Sequence, residues 1–417
     1  MAGGGKIYLS YPARAIVRRP PPFGVIYLDT EAFVNGSGSR ESPFNSINSA
    51  LIAADGFQGM RIKIFSRPNT PIRSEIIYTS SFDIEIEGVD GLPWYAFASS
   101  LHTSGWSDMG AGIYSKSIGT TAIGRPCVLT LSQTVGDRSD WFYKLIPSED
   151  PLNPQAGQYG YSGGVTYIRL PDSSNPNSHS IEIPVRNNCV SAVGSGRVTI
   201  RNLVGRFAIN AITSVGRSTQ ATGTGYMTIE DSLLEYGGGA GGAAASGKFE
   251  SLVCRNVRAY RADNDGFNIH ALVPDGAACH AELFGCEGSY NGDIFESSQG
   301  ASAHEGCRMD IHGGRFNFNV SGGMYSIDSS VNNLYGDGEF GPIEMTGNMR
   351  NVPFGVDPGR FLGLQAACGW GGQSSGLVLG HVRVTRNNWR GVKVETPGNV
   401  AGVDQIISED NGAPDSI

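Results

Sequence analysis

Val198-Thr-Ile-Arg-Asn202, Met227-Thr-Ile-Glu-Asp231, Leu252-Val-Cys-Arg-Asn256 and Ala281-Glu-Leu-Phe-Gly285 share one pattern. Positions one and three are apolar, and position five is Asn, Asp or Gly. Met309-Asp-Ile-His-Gly313 and Ile343-Glu-Met-Thr-Gly347 continue it, and Val382-Arg-Val-Thr-Arg-Asn387 and Gln405-Ile-Ile-Ser-Glu-Asp410 follow as similar short strands whose turn residue comes at the sixth place. The turn residues 202, 231, 256, 285, 313, 347, 387 and 410 are 29, 25, 29, 28, 34, 40 and 23 residues apart. Short strands of period two, closed by residues that tolerate positive φ and repeated at this variable spacing, mark stacked β coils. One coil cannot bury its own inward row, and stacking at about 4.8 Å per coil closes it. A propeller would carry more strands per repeat, and the Leu/Asn consensus of leucine-rich repeats is missing. The pattern predicts an all-β chain, a right-handed parallel β-helix.

Composition agrees. Gly is 59 of 417 residues, with 40% hydrophobic and 17% charged. That much Gly disfavours helical bundles and coiled coils, at about 1 kcal/mol per helix-interior position. The formal net charge of −8 offers nothing that tracks phosphates, so no nucleic-acid partner is expected. No apolar run is long enough to span a bilayer, and residues 1–23 lack the apolar core of a secretory signal. The seven cysteines have no CxxC or zinc-ribbon spacing, so they read as buried free thiols made in a reducing compartment.

The open end of a solenoid is a sheet edge that needs a cap. Ser42-Pro43 reads as an N-cap followed by Pro at the first helical position, with Phe44, Ile47 and Leu51 on one face beside Ala50 and Ala54. Val25-Ile-Tyr-Leu-Asp29 precedes this helix as a strand. Arg61-Ile-Lys-Ile-Phe65, Glu75-Ile-Ile-Tyr78 and Asp83-Ile-Glu-Ile-Glu87 follow as first coils. Residues 94–178 break the pattern with Trp94, Trp106, Trp141 and Pro- and Gly-rich connections, as expected of a small β-rich subdomain inserted on the side. The expected organisation is an extended arm over 1–23, cap and first coils over 24–93, the insertion over 94–178, and the main β-helix over 179–417. Gly237–Ser246 lies between coils, where a tight loop is expected rather than a linker.

Tyr27-Leu-Asp29, Asn35-Gly-Ser-Gly38, Ser42-Pro-Phe44 and the Ala-rich helix resemble the opening of pectate-lyase-like β-helix proteins. Many of these are bacteriophage tailspikes that depolymerise bacterial surface polysaccharides. Gly157-Gln-Tyr-Gly-Tyr161, Tyr167-Ile-Arg-Leu-Pro-Asp172 and Asn175-Pro-Asn177 resemble a small insertion that some of these enzymes carry. The resemblance implies a polysaccharide substrate and a homotrimer. It also implies a place on a virion tail, attached through the N-terminus and reached without membrane insertion.

Polar residues concentrate in Arg261-Ala-Asp-Asn-Asp-Gly-Phe-Asn-Ile-His270, Tyr290-Asn-Gly-Asp-Ile-Phe-Glu296, Gln299–Gly306 and Arg308, Asp310 and His312. Four of the seven histidines (270, 280, 304 and 312) fall here, as an open groove would require. Asp265 lies nine residues past Asn256, and Asp293 eight past Gly285, which predicts matching stations about 5 Å apart on adjacent coils. Two carboxylates at that distance suit glycoside cleavage with retention. Glu296 and Glu305 are alternative partners. His270 and His304 suit a second chemistry, β-elimination from a uronate, with Arg261 or Arg308 neutralising the sugar carboxylate. His304-Glu305 also resembles a His–acid pair in the groove of related phage enzymes. His280 and His312 read as structural or solvent-facing. Tyr290, Trp370 and Trp389 are the candidates for stacking on sugar rings. No cofactor is required, although the Asp-Asn-Asp-Gly run also suits a turn or a Ca²⁺ loop fragment. A hydrolase is the leading expectation, followed by a lyase or uronan epimerase of the same fold, then a binding-only spike.

Overall fold

The structure is a computed structural model that describes residues 24–56, 61–215, 225–238, 244–246, 249–270, 279–292, 298–336, 338–350, 366–396 and 399–415. The expectations for the arm 1–23, for Asp293 and Glu296, and for the middle of the Gly237–Ser246 run lie outside the described residues.

The alternating strands stack in parallel register, coil upon coil, into a parallel β-helix with three faces. On the first face, Arg197–Arg201, Gly225–Glu230, Phe249–Arg255 and the opening halves of His280–Ser289 and Arg308–Arg315 follow one another. Val198, Met227, Leu252, Ala281 and Met309 form one inward column, and Ile200, Ile229, Cys254, Leu283 and Ile311 the next. All ten are buried. A left-handed residue turns each of these coils onto the second face: Asn202 (φ 61°), Asp231 (48°), Asn256 (51°), Gly285 (58°) and Gly313 (65°). The Asn, Asp and Gly of the sequence pattern are therefore a backbone requirement. The second face holds Leu203–Arg206, Leu233–Glu235 and Arg258–Tyr260. The third holds Val190–Ala192, Thr213–Val215, Ala244–Ser246, Phe267–Ile269, Ala301–Ala303, Met324–Ser326, Ala366–Trp370 and Arg390–Val394.

Between the second and third faces a ladder of asparagines runs up the inside. Asn291, Asn319, Asn348 and Asn387 each pass an amide hydrogen to the side-chain oxygen of the next, at 2.9–3.2 Å, and the ladder ends on Asn411. Stacking at the coil repeat lets each buried amide satisfy its neighbour.

Three strands of the sequence series change face. Ile343–Thr346, Val382–Thr385 and Ile406–Glu409 continue the second face, from the register Gly314↔Ile343 onward. Val331–Tyr335, Ser375–Leu379 and Val400–Ala401 continue the first. Both faces alternate with period two, so the pattern carries no label for which face it builds.

The cap helix spans Ile47–Gly56 and buries Ile47, Ala50, Leu51 and Ala54 against the first coil. It begins later than Ser42-Pro43 predicts, because the Phe44 N–H donates to the Tyr27 carbonyl while its own carbonyl accepts from Asp29. Those bonds hold the chain extended beside Val25–Asp29. Trp94–Phe97 is a coil strand paired with Leu203–Arg206. Beyond it the chain builds two extra sheets before returning at Val190. One contains Ser99–His102, Cys127–Val135, Arg138–Lys144 and Ile181–Pro184; the other contains Ser107–Gly110, Ile113–Ser117, Ile146–Pro147, Gln158–Ser162 and Val165–Arg169. Trp106, Val128, Leu145, Ile168, Leu170, Ile181 and Ile183 form their own core.

Two of the cysteines depart from the free-thiol expectation. Cys279 and Cys307 are joined in a disulfide, whereas Cys127, Cys189, Cys254, Cys286 and Cys368 are free and buried. The pairing follows from register, since His280 lies opposite Arg308 and the preceding residues share a station on adjacent coils. Among the described residues no helix is long and apolar enough to cross a membrane.

Candidate active site

The polar group best placed for chemistry stands on the third face. In Phe267-Asn-Ile-His270 and Ala301-Ser-Ala-His304 the small and apolar residues Phe267, Ile269, Ala301 and Ala303 join the core. The alternation sends Asn268, His270, Ser302 and His304 outward. Ile269 lies opposite Ala303, so the two histidines that follow meet. Their rings stack 4.0 Å apart and 7° from parallel. Glu305 then takes a left-handed conformation (φ 56°), and its carboxylate reaches His270 Nδ1 at 3.1 Å. Glu305 is exposed, while His270 and His304 are half-buried.

Asp265 approaches from beneath. Its Oδ1 accepts from the Gln299 N–H at 2.6 Å, and its Oδ2 lies 2.5 Å from Ser302 Oγ. Ser302 Oγ is in turn 3.1 Å from His304 Nε2. Burial pushes the Asp265 carboxyl up to about 7, against the lowering effect of both hydrogen bonds. Burial, then the neighbouring His270, pushes His304 down to about 3, so its imidazole is neutral near pH 7. At 2% exposure Asp265 does not face the groove as expected, because the next coil's Gln299 and Ser302 enclose it. Sequence reading missed Ser302, although its outward place beside His304 was available in the Ala-Ser-Ala-His alternation.

The buried acid makes a stability prediction. A carboxyl whose value is raised in the fold stabilises below its unfolded value, and that contribution is lost as pH rises through the folded value. Asp265 therefore costs the native state increasing stability between about pH 4 and 7, up to about 4 kcal/mol. In Asp265→Asn this loss is absent. Its melting temperature relative to wild type should climb across that window and level off above it. A difference flat with pH in paired thermal melts would contradict the buried-acid assignment.

The remaining candidates are dispersed. Arg261 is a left-handed corner residue with no exposure; its guanidinium lies 5.8 Å from the Tyr236 ring centre and donates to Gln133 Oε1 at 2.9 Å. Tyr290 packs on Trp141, Tyr260 and Phe318 and donates to Asp137 Oδ1 at 2.7 Å. Both belong to the aromatic seam where the inserted sheet docks, which leaves neither a surface for a sugar. Trp370 points into the solenoid and donates to the Asn332 carbonyl. Trp389 is half-buried with Arg390 over its ring.

Arg308 stands on the first face, as do His280 and His312. Burial alone would raise Asp310, but hydrogen bonds from His280, Arg308 and Asn333 hold it at about 2. His312 is stacked between Phe284 and Tyr335, each at 4.5 Å. The two histidines are thus held by structural partners. Asp263, in the Asp-Asn-Asp-Gly run, pairs with Arg125 Nη1 at 2.6 Å and Lys144 Nζ at 2.5 Å, both from the insertion. Among the described residues no three His, Cys, Asp or Glu gather into a metal site.

No family model matches the chain, and no curated protein matches it in sequence. The solved structure of XylC with xylose superposes with a TM-score of 0.57 at 13% identity, over 89% of this chain and 67% of that one. A glycoside hydrolase superposes with a TM-score of 0.53 at 10% identity, over 94% and 96% of the two chains. The Gp54 tailspike of Acinetobacter baumannii bacteriophage AP22, in complex with a capsular saccharide, reaches a TM-score of only 0.23 at 10% identity, over 88% and 73%. At that score it carries no weight. At these identities the first two neighbours establish a shared fold.

Proposed function

We propose that the chain is a polysaccharide depolymerase of the tailspike type, cutting glycosidic bonds of a bacterial surface polysaccharide at His270, His304 and Glu305. The observation that carries this reading is the exposed Glu305 carboxylate on His270, stacked on a neutral His304. An imidazole held on a carboxylate beside one kept neutral by burial supplies a proton donor and a base at one site. In hydrolysis, His270, steadied by Glu305, delivers a proton to the leaving oxygen, and His304 Nδ1 draws one from the attacking water. A carboxylate-pair mechanism would take its second acid from Asp293 or Glu296. Elimination is the weaker reading, because it needs a cation at the sugar carboxylate. Arg261 is sealed in the docking seam, and Arg308 stands on another face. A homotrimer held to a virion tail through residues 1–23 is the assembly this reading implies.

Incubation with a panel of bacterial capsules, followed by mass spectrometry, tests the reading. Fragments one water heavier per cut are expected. Unsaturated uronates would establish elimination, and retained binding without fragments would leave a binding-only spike.

A further inference from the structure

We infer that Asp265, Ser302 and His304 form a proton relay, in which His304 takes a proton at Nδ1 and passes its Nε2 proton through Ser302 to Asp265. The inference rests on the reading of this face as an acid–base site. It makes Asp265 and Ser302 positioning residues, which act on the substrate through His304.

The hydrogen-bond count fixes the starting state. An ionised Asp265 only accepts, and the Ser302 hydroxyl has one hydrogen. With Oδ2 at 2.5 Å, that hydrogen goes to Asp265. Ser302 Oγ then accepts from His304, so Nε2 carries the ring proton across the 3.1 Å contact. Nδ1 is left with the lone pair. The resting tautomer is a base at Nδ1.

The transfer balances. As the new Nδ1–H bond forms, the O–H bond of the attacking water breaks. The Nε2–H bond breaks as an Oγ–H bond forms, and the old Oγ–H bond breaks as Oδ2–H forms. One proton moves from water to Asp265. The imidazole ends neutral, with its tautomer inverted. The surroundings favour this route over a lasting imidazolium, because His304 is half-buried and stacked on a second imidazole. Among the described residues the Asp265 carboxylate accepts from the Gln299 N–H and Ser302, with no cation against it, so it gains by accepting the proton. Among the described residues the other ionisable groups nearby are already engaged: Glu305 with His270, and Asp263 with Arg125 and Lys144.

The test is the tautomer of His304, read from two-bond ¹⁵N–¹H correlations in the full chain labelled at histidine. Above about pH 8 the wild type should show Nε2–H. In Asp265→Asn the amide donates to Ser302 Oγ, the hydroxyl hydrogen turns to His304, and the ring should appear as Nδ1–H. Lowering the pH of the wild type through about 7 should produce the same inversion, so the test stands even where the variant fails to fold. Ser302→Ala should abolish the inversion. An unchanged tautomer in both Asp265→Asn and the wild-type titration would overturn the relay. The readout needs no substrate, so it separates two failures. Inversion without cleavage of any polysaccharide removes the proposed function and leaves the relay. Cleavage without inversion does the reverse.

Discussion

Glu305→Gln should lower turnover on the polysaccharide by at least about 100-fold, in line with the loss of a positioned acid–base partner. The amide keeps the shape of the carboxylate and retains an oxygen for His270 Nδ1, but it removes the charge that steadies a protonated ring. Stability should move by no more than about 0.5 kcal/mol, because the side chain is exposed and packs no core. His270→Gln should cost a similar factor. The double variant should be scarcely worse than either, since groups that act as a unit do not add. Steady-state kinetics on the sensitive capsule, with a thermal melt of each variant, checks all three. Full activity in both single variants would move the chemistry off the third face.

The largest structural effect is expected from Asp263→Ala. Its Oδ1 is shared by two buried cations, Arg125 and Lys144. Arg125 also donates to the Leu145 carbonyl, and Lys144 to that of Arg261. These bonds place the edge of the inserted sheet against the second corner of the helix. Removing one partner from a buried ion pair costs about 3–5 kcal/mol, because the charge left behind is desolvated. The loss should fall on the docking of the insertion, which is otherwise held by the seam of Phe97, Trp141, Phe207, Tyr236, Tyr260 and Tyr290 and by pairs such as Arg73 with Glu182 and Tyr290 with Asp137. Calorimetry should show an early transition for the insertion ahead of the coils, with Trp141 fluorescence reporting the opening. A single unshifted transition would mean that the remaining contacts hold the sheet without Asp263. Arg40→Ala is the control. Its pairing with Asp90 is exposed, and such pairs contribute about 0–1 kcal/mol.

How much of this molecule was legible in advance follows from how far each determinant reaches along the chain. The coil strands and the left-handed corners at Asn202, Asp231 and Asn256 were readable, because a period of two and tolerance of positive φ are properties of five consecutive residues. The meeting of His270, His304 and Glu305 in one polar region was partly readable, since coils of similar length return similar positions to one face. What an outward residue meets is settled elsewhere. Tyr290 and Arg261 occupy outward corners that would be open on a bare solenoid, yet an inserted sheet from more than a hundred residues earlier covers them. Trp370 is by sequence a candidate for sugar stacking, and its register against Ser326 and Val394 places it in the core. Asp265 was expected to face the groove, and the backbone of Gln299 in the following coil encloses it. Local sequence chemistry therefore determined that the chain coils and where it turns. Tertiary packing decided which polar groups remain in contact with solvent, because desolvation depends on neighbours that the local pattern does not contain.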